Sequence, residues 1–130
     1  YDTIYVNPPY GLDRERGTSI KNWLGRCAEA HKTYSSEVIA LVPVATNTGH
    51  WKRSVFTKAT AVCFLYDTRL KFLENGEAGG KGAPMSCATI YWGERFDEFY
   101  TVFKKFILNP RRFTYTPVIS CRGEKPLLEN

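Results

Sequence analysis

The sequence lacks the patterns that mark a metal site, an exported chain or a membrane span. Its four cysteines lie far apart without a CxxC pair, and it has only two histidines, which argues against a zinc site. No apolar run reaches the length of a membrane span, and no signal-peptide pattern is present. Cys63 and Cys87 lie in apolar runs typical of buried, reduced thiols. We therefore expect no metal ligands, no membrane contact and a reducing, cytoplasmic location.

Acidic residues are in the minority, and some of the cations that outnumber them form two groups in the sequence. The net charge is +5 and aromatic residues make up 15% of the chain. Lysine and arginine contact phosphates, and aromatic rings stack on unpaired bases. This composition favours a nucleic-acid partner, although simple solubility also explains an excess of this size. Two of the cations directly follow Trp51, and six more crowd the last third of the chain: Lys52, Arg53, Lys104, Lys105, Arg111, Arg112, Arg122 and Lys125.

Strand and helix patterns alternate, which predicts one α/β domain over residues 1–130. Residues 37–42 are almost continuously apolar, as in a strand buried on both faces of a parallel sheet. Residues 61–66 and 84–92 follow each other without a helix between them, which predicts an antiparallel hairpin. The complete prediction has strands at 3–6, 37–42, 61–66 and 84–92, helices at 18–32, 49–58 and 96–108, and a mostly irregular basic tail at 109–130 in which 114–120 could form a short strand.

Apolar residues recur at helical spacing in the predicted helices, so each should turn one face to the core. In the second helix, Trp51, Val55 and Phe56 are expected to point inward. In the third helix, an aromatic stripe is expected to pack on the sheet rather than on a partner.

Asn7, Pro8, Pro9 and Tyr10 directly follow the first strand and suit the chemistry of an amino group. Each proline fixes φ and removes an N–H, so the turn is stiff and its carbonyls point outward. The Asn7 side-chain oxygen and the next carbonyl are both acceptors for an –NH2 group. The Tyr10 ring offers a flat surface on which a base or an amide could stack. A proline-stiffened turn with no chemical role is the alternative reading.

This four-residue motif resembles the NPPY signature of S-adenosylmethionine-dependent amino methyltransferases. Four further strings occur in register: VIALVP at 38–43, TNTGHW at 46–51, RLKF at 69–72 and APMSCATIYWG at 83–93. The series as a whole, over about residues 1–95, resembles the phage-type, Dam-like family of DNA N6-adenine methyltransferases. Ala45 and the pair Asp67 and Thr68 depart from the family pattern, which concerns local substrate contacts rather than the class.

The resemblance implies an α/β fold, a Rossmann-like methyltransferase sheet with helices on both faces and a terminal antiparallel hairpin. It also implies that only the C-terminal half of that sheet is present, because no segment here supplies the cofactor-binding half. We expect a missing N-terminal half or a second chain to complete the site for S-adenosylmethionine. Ligands of open α/β sheets lie at the carboxyl ends of the strands, which groups Asn7 with the residues after Pro43.

By the same resemblance, the substrate is DNA and the target adenine is flipped into a pocket. Asn7 and the Pro8 carbonyl would accept hydrogen bonds from the N6 amino group, and Asn7 would also face the cofactor. Pro9 would be chiefly structural, and Tyr10 would stack on one face of the base. The predicted substrate and DNA contacts are Phe72 on the opposite face, then Arg69, Lys71, Trp51, Lys52 and Arg53.

Other functions remain compatible with these residues. The same motif serves enzymes that methylate RNA bases or protein glutamine, although the basic tail and the RLKF string favour DNA. A non-catalytic DNA-binding subunit would explain the lack of a cofactor-binding half. Core packing for Phe72 and solvated charge for Arg69 and Lys71 are equally open. The family resemblance also suggests a bacterial or phage-infected cell and a place in restriction-modification.

Overall fold

The computed structural model describes residues 2–65, 73–74, 76–78, 85–104 and 118–124, and these form an open sheet covered by helices. Five strands belong to this sheet in the order β1-β2-β6-β3-β7. A separate two-stranded hairpin is formed by β4 and β5. The strands are β1 (Thr3–Val6), β2 (Glu37–Pro43), β3 (Ala61–Phe64), β4 (Leu73–Glu74), β5 (Glu77–Ala78), β6 (Cys87–Trp92) and β7 (Val118–Ser120).

Strand directions within the sheet are mixed. β1 and β2 are parallel, with Thr3 opposite Glu37 and Val6 opposite Ala40. β6 lies between β2 and β3 and is antiparallel to both, and β7 is antiparallel to β3. It follows that β1, β2 and β3 share one direction. The predicted parallel neighbour of β2 is confirmed at β1, and the predicted antiparallel pairing of the third and fourth strands is confirmed. The sheet is nevertheless mostly antiparallel, because three of its four ladders are.

Three helical segments connect or cover the strands. They are α1 (Ile20–Tyr34), α2 (Gly49–Trp51), which continues directly into a π-helix (Lys52–Phe56), and α3 (Phe96–Phe103). α1 begins after Ser19, whose backbone N–H donates to the Asn22 side chain at 2.9 Å. It ends at Ser35, which has a left-handed φ of 56°. None of the helices in the described ranges is long and apolar enough to cross a bilayer.

Each face of the sheet carries its own apolar layer, so helices cover both faces as expected. On one face, α1 and the α2–π segment pack against alternate residues of β2, β3 and β6, with Leu24, Trp51 and Val55 fully buried. On the other face, Phe96 and Phe99 of α3 pack against Ala61, Cys63, Tyr91 and Val118. The pleat sends neighbouring residues of one strand to opposite faces, which explains how Ile90 and Tyr91 join different layers.

Most of the predicted elements occur where the sequence placed them, with two corrections. The helix at 49–58 is helical only to Phe56, and its last five residues are π-helical. Phe56 does not point inward. Trp51 and Val55 fill the space above the sheet, which leaves Phe56 at the rim, against Trp51 but 42% exposed. Cys63 and Cys87 are buried free thiols as predicted. Predictions for residues 66, 84 and 105–117 lie outside the described residues.

Candidate functional site

The NPPY turn lies at the carboxyl end of β1, beside the carboxyl end of β2. β1 ends at Val6, so Asn7 is the first residue beyond the sheet. β3 runs in the same direction and ends at Phe64, next to the start of β6. We call this side of the sheet, where β1, β2 and β3 end, the Asn7 edge.

All four motif residues line one open cavity of about 440 Å³. Pro8 is buried and Tyr10 half-buried, whereas Asn7 and Pro9 are exposed. The buried proline anchors the turn, and its neighbours face the cavity. That these four residues form one functional site stays a prediction.

Two acceptors at the cavity have no hydrogen-bond partner in the described part of the chain. Within the described ranges, neither the Asn7 side chain nor the Pro8 carbonyl takes part in a hydrogen bond. Polar groups of a folded chain are normally paired with each other or with water. An unpaired amide oxygen and an unpaired carbonyl at one stiff turn are therefore available to a donor from outside.

Tyr10 is tethered at its hydroxyl. This group donates a hydrogen bond to the Leu41 carbonyl of β2 at 3.2 Å. Burial raises the pKa of Tyr10 above its usual range, and the nearby Cys87 thiol adds to the effect. The phenol therefore stays protonated near neutral pH, and its ring is held across the ends of β1 and β2.

The predicted DNA contacts on the α2–π segment have different environments. Trp51 is fully buried between Phe56 and Phe64, so its ring has no surface for DNA and the predicted contact through Trp51 is wrong. Lys52 and Arg53 are exposed on the π-helix. The Arg53 guanidinium lies over Gly49, where an added Cβ would be 2.7 Å from Nη1.

His50, next to these cations, has a lowered pKa because of burial first and then the charges of Arg53 and Lys21. A neutral imidazole is therefore favoured at this position. Arg69, Lys71 and Phe72 lie outside the described residues. No group of three or more His, Cys, Asp or Glu side chains that could hold a metal is found in the described part of the chain.

The opposite side of the sheet carries a polar network that sequence reasoning missed. We call this side, where β2 and β3 begin and β6 ends, the Glu37 edge. The buried Glu37 carboxylate accepts a hydrogen bond from the Tyr91 hydroxyl at 2.5 Å and another from Arg95 Nε at 2.8 Å. A second Arg95 nitrogen pairs with the other oxygen of Glu37. The Tyr91 hydroxyl in turn accepts from the Arg95 backbone N–H at 3.0 Å.

Charge and burial shift the ionisation of this network in the expected directions. The Arg95 hydrogen bonds lower the pKa of Glu37 against the opposing effect of burial, and Tyr91 and the Arg95 charge help. Burial and the Glu37 carboxylate raise the pKa of Tyr91 to about 12. Glu37 is therefore ionised and Tyr91 neutral, so the network ties the start of β2 to the start of α3.

Gly93 is required beside this network. A Cβ at Gly93 would lie 2.2 Å from the Tyr91 hydroxyl oxygen, which no side-chain carbon can approach so closely. The backbone of Gly93 is also held by Thr60, whose hydroxyl donates to the Gly93 carbonyl at 2.5 Å and accepts from its N–H at 3.1 Å. The glycine that ends the YWG string therefore has a packing role that its sequence context alone did not reveal.

Comparison with known proteins identifies the class. A model of DNA methyltransferases acting on adenine N6 matches residues 1–114, most of the chain. The chain therefore belongs to the DNA N-6-adenine-methyltransferase (Dam) family. This membership confirms the family predicted from the motif series, and it supports methylation of DNA adenine as the general activity. Searches of curated proteins and of solved structures gave no significant match.

Proposed function

We propose that this domain transfers a methyl group from S-adenosylmethionine to the N6 amino group of adenine in DNA, with the NPPY turn as the target-base site. The observation that carries the proposal is the pair of unused acceptors, Asn7 and the Pro8 carbonyl, in one cavity at the end of β1. Family membership supplies the substrate class. We also propose that the sheet is the C-terminal half of a Rossmann-like methyltransferase sheet, which the antiparallel β6 between β2 and β3 supports.

The two acceptors match the two hydrogens of an amino group. If the Asn7 oxygen accepts one N6 hydrogen and the Pro8 carbonyl accepts the other, the nitrogen lone pair loses overlap with the ring. It then points out of the base plane, where an electrophile can meet it. When bound, S-adenosylmethionine supplies the electrophilic methyl group. The protein's contribution is positioning and fixed dipoles, which operate without a strong base.

Tyr10 would hold the flipped base by stacking, and its tether to Leu41 fixes the plane of the ring in advance. A preset ring loses little conformational freedom when the base arrives. Phe72 remains our candidate for the opposite face. The candidates for DNA contacts are still Arg69, Lys71, Lys52 and Arg53. Lys52 and Arg53 are exposed on the π-helix and would contact phosphates.

The cavity fits the base better than it fits the whole cofactor. Its described lining, Asn7 to Tyr10, supplies acceptors and proline rings but no carboxylate for the ribose hydroxyls. β1 is an outermost strand of the sheet, and its Ile4 and Tyr5 are 36% and 64% exposed. An exposed apolar edge strand is a template for a further strand. We propose that another segment or a second chain pairs there and completes the cofactor site.

The acceptor role is tested by two variants of one side chain. Asn7→Ala removes the acceptor, and we expect kcat to fall about 10²–10³-fold, as when one donor or acceptor to a reacting group is lost. Asn7→Asp keeps an oxygen in place and should retain most of the activity. Methylation is measured with the completing segment or partner present, by nucleoside analysis of digested DNA, which also separates N6-methyladenine in DNA from RNA or glutamine products. Wild-type rates for Asn7→Ala would overturn the assignment.

Cofactor binding is tested by equilibrium dialysis of S-adenosylmethionine against the chain. Weak or absent binding that becomes tight with a completing segment or partner would support the shared site. Saturable binding by the chain alone would overturn the shared site and leave the acceptor role intact. DNA binding without methyl transfer under both conditions would instead favour a non-catalytic subunit.

A further inference from the structure

A second cavity, at the Glu37 edge, has no part in the chemistry proposed above. Its volume is about 640 Å³. It lies between the last turn of α1, the turn from β6 into α3, and the residues after β7. β2 separates the two edges by its length, roughly 20 Å for the six steps of about 3.3 Å between its seven residues. A ligand here would not touch the NPPY turn.

The lining of this cavity is dominated by positive charge. Lys32, Lys58, Arg95 and Arg122 contribute four cations, against the carboxylates of Glu37 and Glu94. The Glu37 carboxylate is already engaged by Arg95 and Tyr91, so these charges largely cancel. Glu94 alone then faces the remaining cations. It lies 3.5 Å from Arg122, and its side chain is 76% exposed.

His31 belongs to the same lining and makes two hydrogen-bonding contacts. Nδ1 lies 2.9 Å from the Ser36 carbonyl, which only accepts, so Nδ1 carries a hydrogen. Nε2 lies 3.1 Å from Glu94 Oε1. Both ring nitrogens thus face acceptors. The Glu94 carboxylate therefore contacts both His31 and Arg122.

The two lysines of the cavity are not paired. Within the described ranges, the ammonium groups of Lys32 and Lys58 make no hydrogen bond or ion pair. Lys32 comes from the last turn of α1, and Lys58 follows the π-helix, so two separate elements bring them to one concavity. Cations that converge from different elements without an internal counter-ion form a binding surface for a compact anion.

We propose that this cavity binds a phosphate group, with Lys32, Lys58 and Arg122 as its cationic contacts. Ser35, at the end of α1, adds a hydroxyl to the same lining. The volume is within the range of small-ligand sites and large enough for a nucleotide. The phosphate belongs either to a free nucleotide or to a DNA backbone, because both present the same phosphate oxygens to lysine and arginine side chains.

Isothermal titration calorimetry with inorganic phosphate and ADP tests the proposal in the absence of S-adenosylmethionine. We expect both to bind, and the double variant Lys32→Gln with Lys58→Gln to weaken ADP at least about tenfold, since two charge-assisted contacts are lost. Lys21→Gln is the matched control, because it makes the same change in the first turn of α1, outside the cavity lining. It should leave the ADP affinity unchanged.

A competition experiment with DNA distinguishes the two sources of phosphate. A short duplex of G·C pairs has no adenine for the NPPY turn. If this duplex competes with ADP, the DNA backbone is the source; if it does not, the site takes free nucleotides. No ADP binding, or equal losses in the double variant and in Lys21→Gln, would overturn the proposal. Because methyl transfer is not measured, neither result depends on the function proposed for Asn7.

Discussion

The Asn7 edge and the Glu37 edge are two ends of the same strands, and they treat polar groups in opposite ways. At the Glu37 edge, a buried carboxylate, a phenol and a guanidinium satisfy one another. At the Asn7 edge, the Asn7 amide and the Pro8 carbonyl have no partner within the described residues. Both edges are formed by the ends of strands, but in the described part of the chain polar groups are paired with each other at the Glu37 edge and left unpaired at the Asn7 edge.

The difference shows how one domain separates stability from recognition. Groups that pair internally hold α3 to β2 and are no longer available to a ligand. Groups left unpaired at a stiff turn contribute little to folding, but they bind an incoming donor without first breaking an internal bond. Substitutions at the two edges should therefore affect different measurements: stability at the Glu37 edge and methyl transfer at the Asn7 edge.

Glu37→Ala should produce the largest loss of stability. It leaves Tyr91 and Arg95 without their acceptor, and we expect the free energy of unfolding to fall by about 2–4 kcal/mol in urea titrations followed by tryptophan fluorescence. Glu98→Ala is the control, because its 67% exposed side chain also pairs with Arg95 and should cost no more than about 0.5 kcal/mol. A loss for Asn7→Ala as large as that for Glu37→Ala would contradict the separation of roles.

Gly93→Ala should come next. The new methyl group would collide with the Tyr91 hydroxyl and displace the network at the Glu37 edge. We expect a cost of about 1–3 kcal/mol, measured by the same unfolding titration. Gly25→Ala is a matched control on α1 with nothing near the added carbon, and it should stabilise the helix by up to about 1 kcal/mol. If both variants behaved alike, the close approach at Gly93 would have no energetic consequence.

Acidification should remove the charge-dependent part of the Glu37 contribution. The pKa of Glu37 is lower in the folded protein than its ordinary value of 4.5. Stability from this group is therefore complete above pH 4.5 and declines as the pH falls through the folded value. Glu37→Gln should flatten the acid limb of a stability profile between pH 7 and pH 2. An unchanged limb would show that other carboxylates govern acid unfolding, and Glu98→Gln serves as the reference.

Tyr10→Phe should have the smallest effect. It tests the hydrogen bond that links the site to the sheet. It keeps the ring but removes the hydrogen bond to Leu41, for which we expect about 0.5–1.5 kcal/mol of stability. The stacking surface remains, so methylation should fall only a few-fold. Tyr5→Phe is the control, because the Tyr5 side chain is 64% exposed on β1. Equal behaviour of the two variants would mean that the tether does not matter.

Local patterns were sufficient to predict the Asn7 edge. A short β-branched run followed by Asn and two prolines determines both the strand end and the stiff turn, all within eight residues. The parallel partner was also predictable, because residues 37–42 are apolar on both faces. These features depend on neighbours in the sequence, which is the information that periodicity carries.

The Glu37 edge was not predictable in the same way. Glu37 and Arg95 are 58 positions apart, and only the sheet brings them together. Glu37 precedes an apolar run and looks like an ordinary strand boundary. Helical spacing predicted that Trp51 points inward, and its ring lies between Phe56 and Phe64. The DNA contact that the neighbouring cations suggested for Trp51 is the prediction that this burial contradicts.

The π-helix has a consequence for comparing this chain with its relatives. A turn closed from residue i to residue i+5 contains one residue more than an α-helical turn. Lys52–Phe56 can therefore be regarded as an α-helix with a single inserted residue, accommodated between α2 and β3. Family members that are one residue shorter here can keep the same strand order. A one-position gap at this segment of an alignment should be treated as a change of helical winding rather than as the loss of an element.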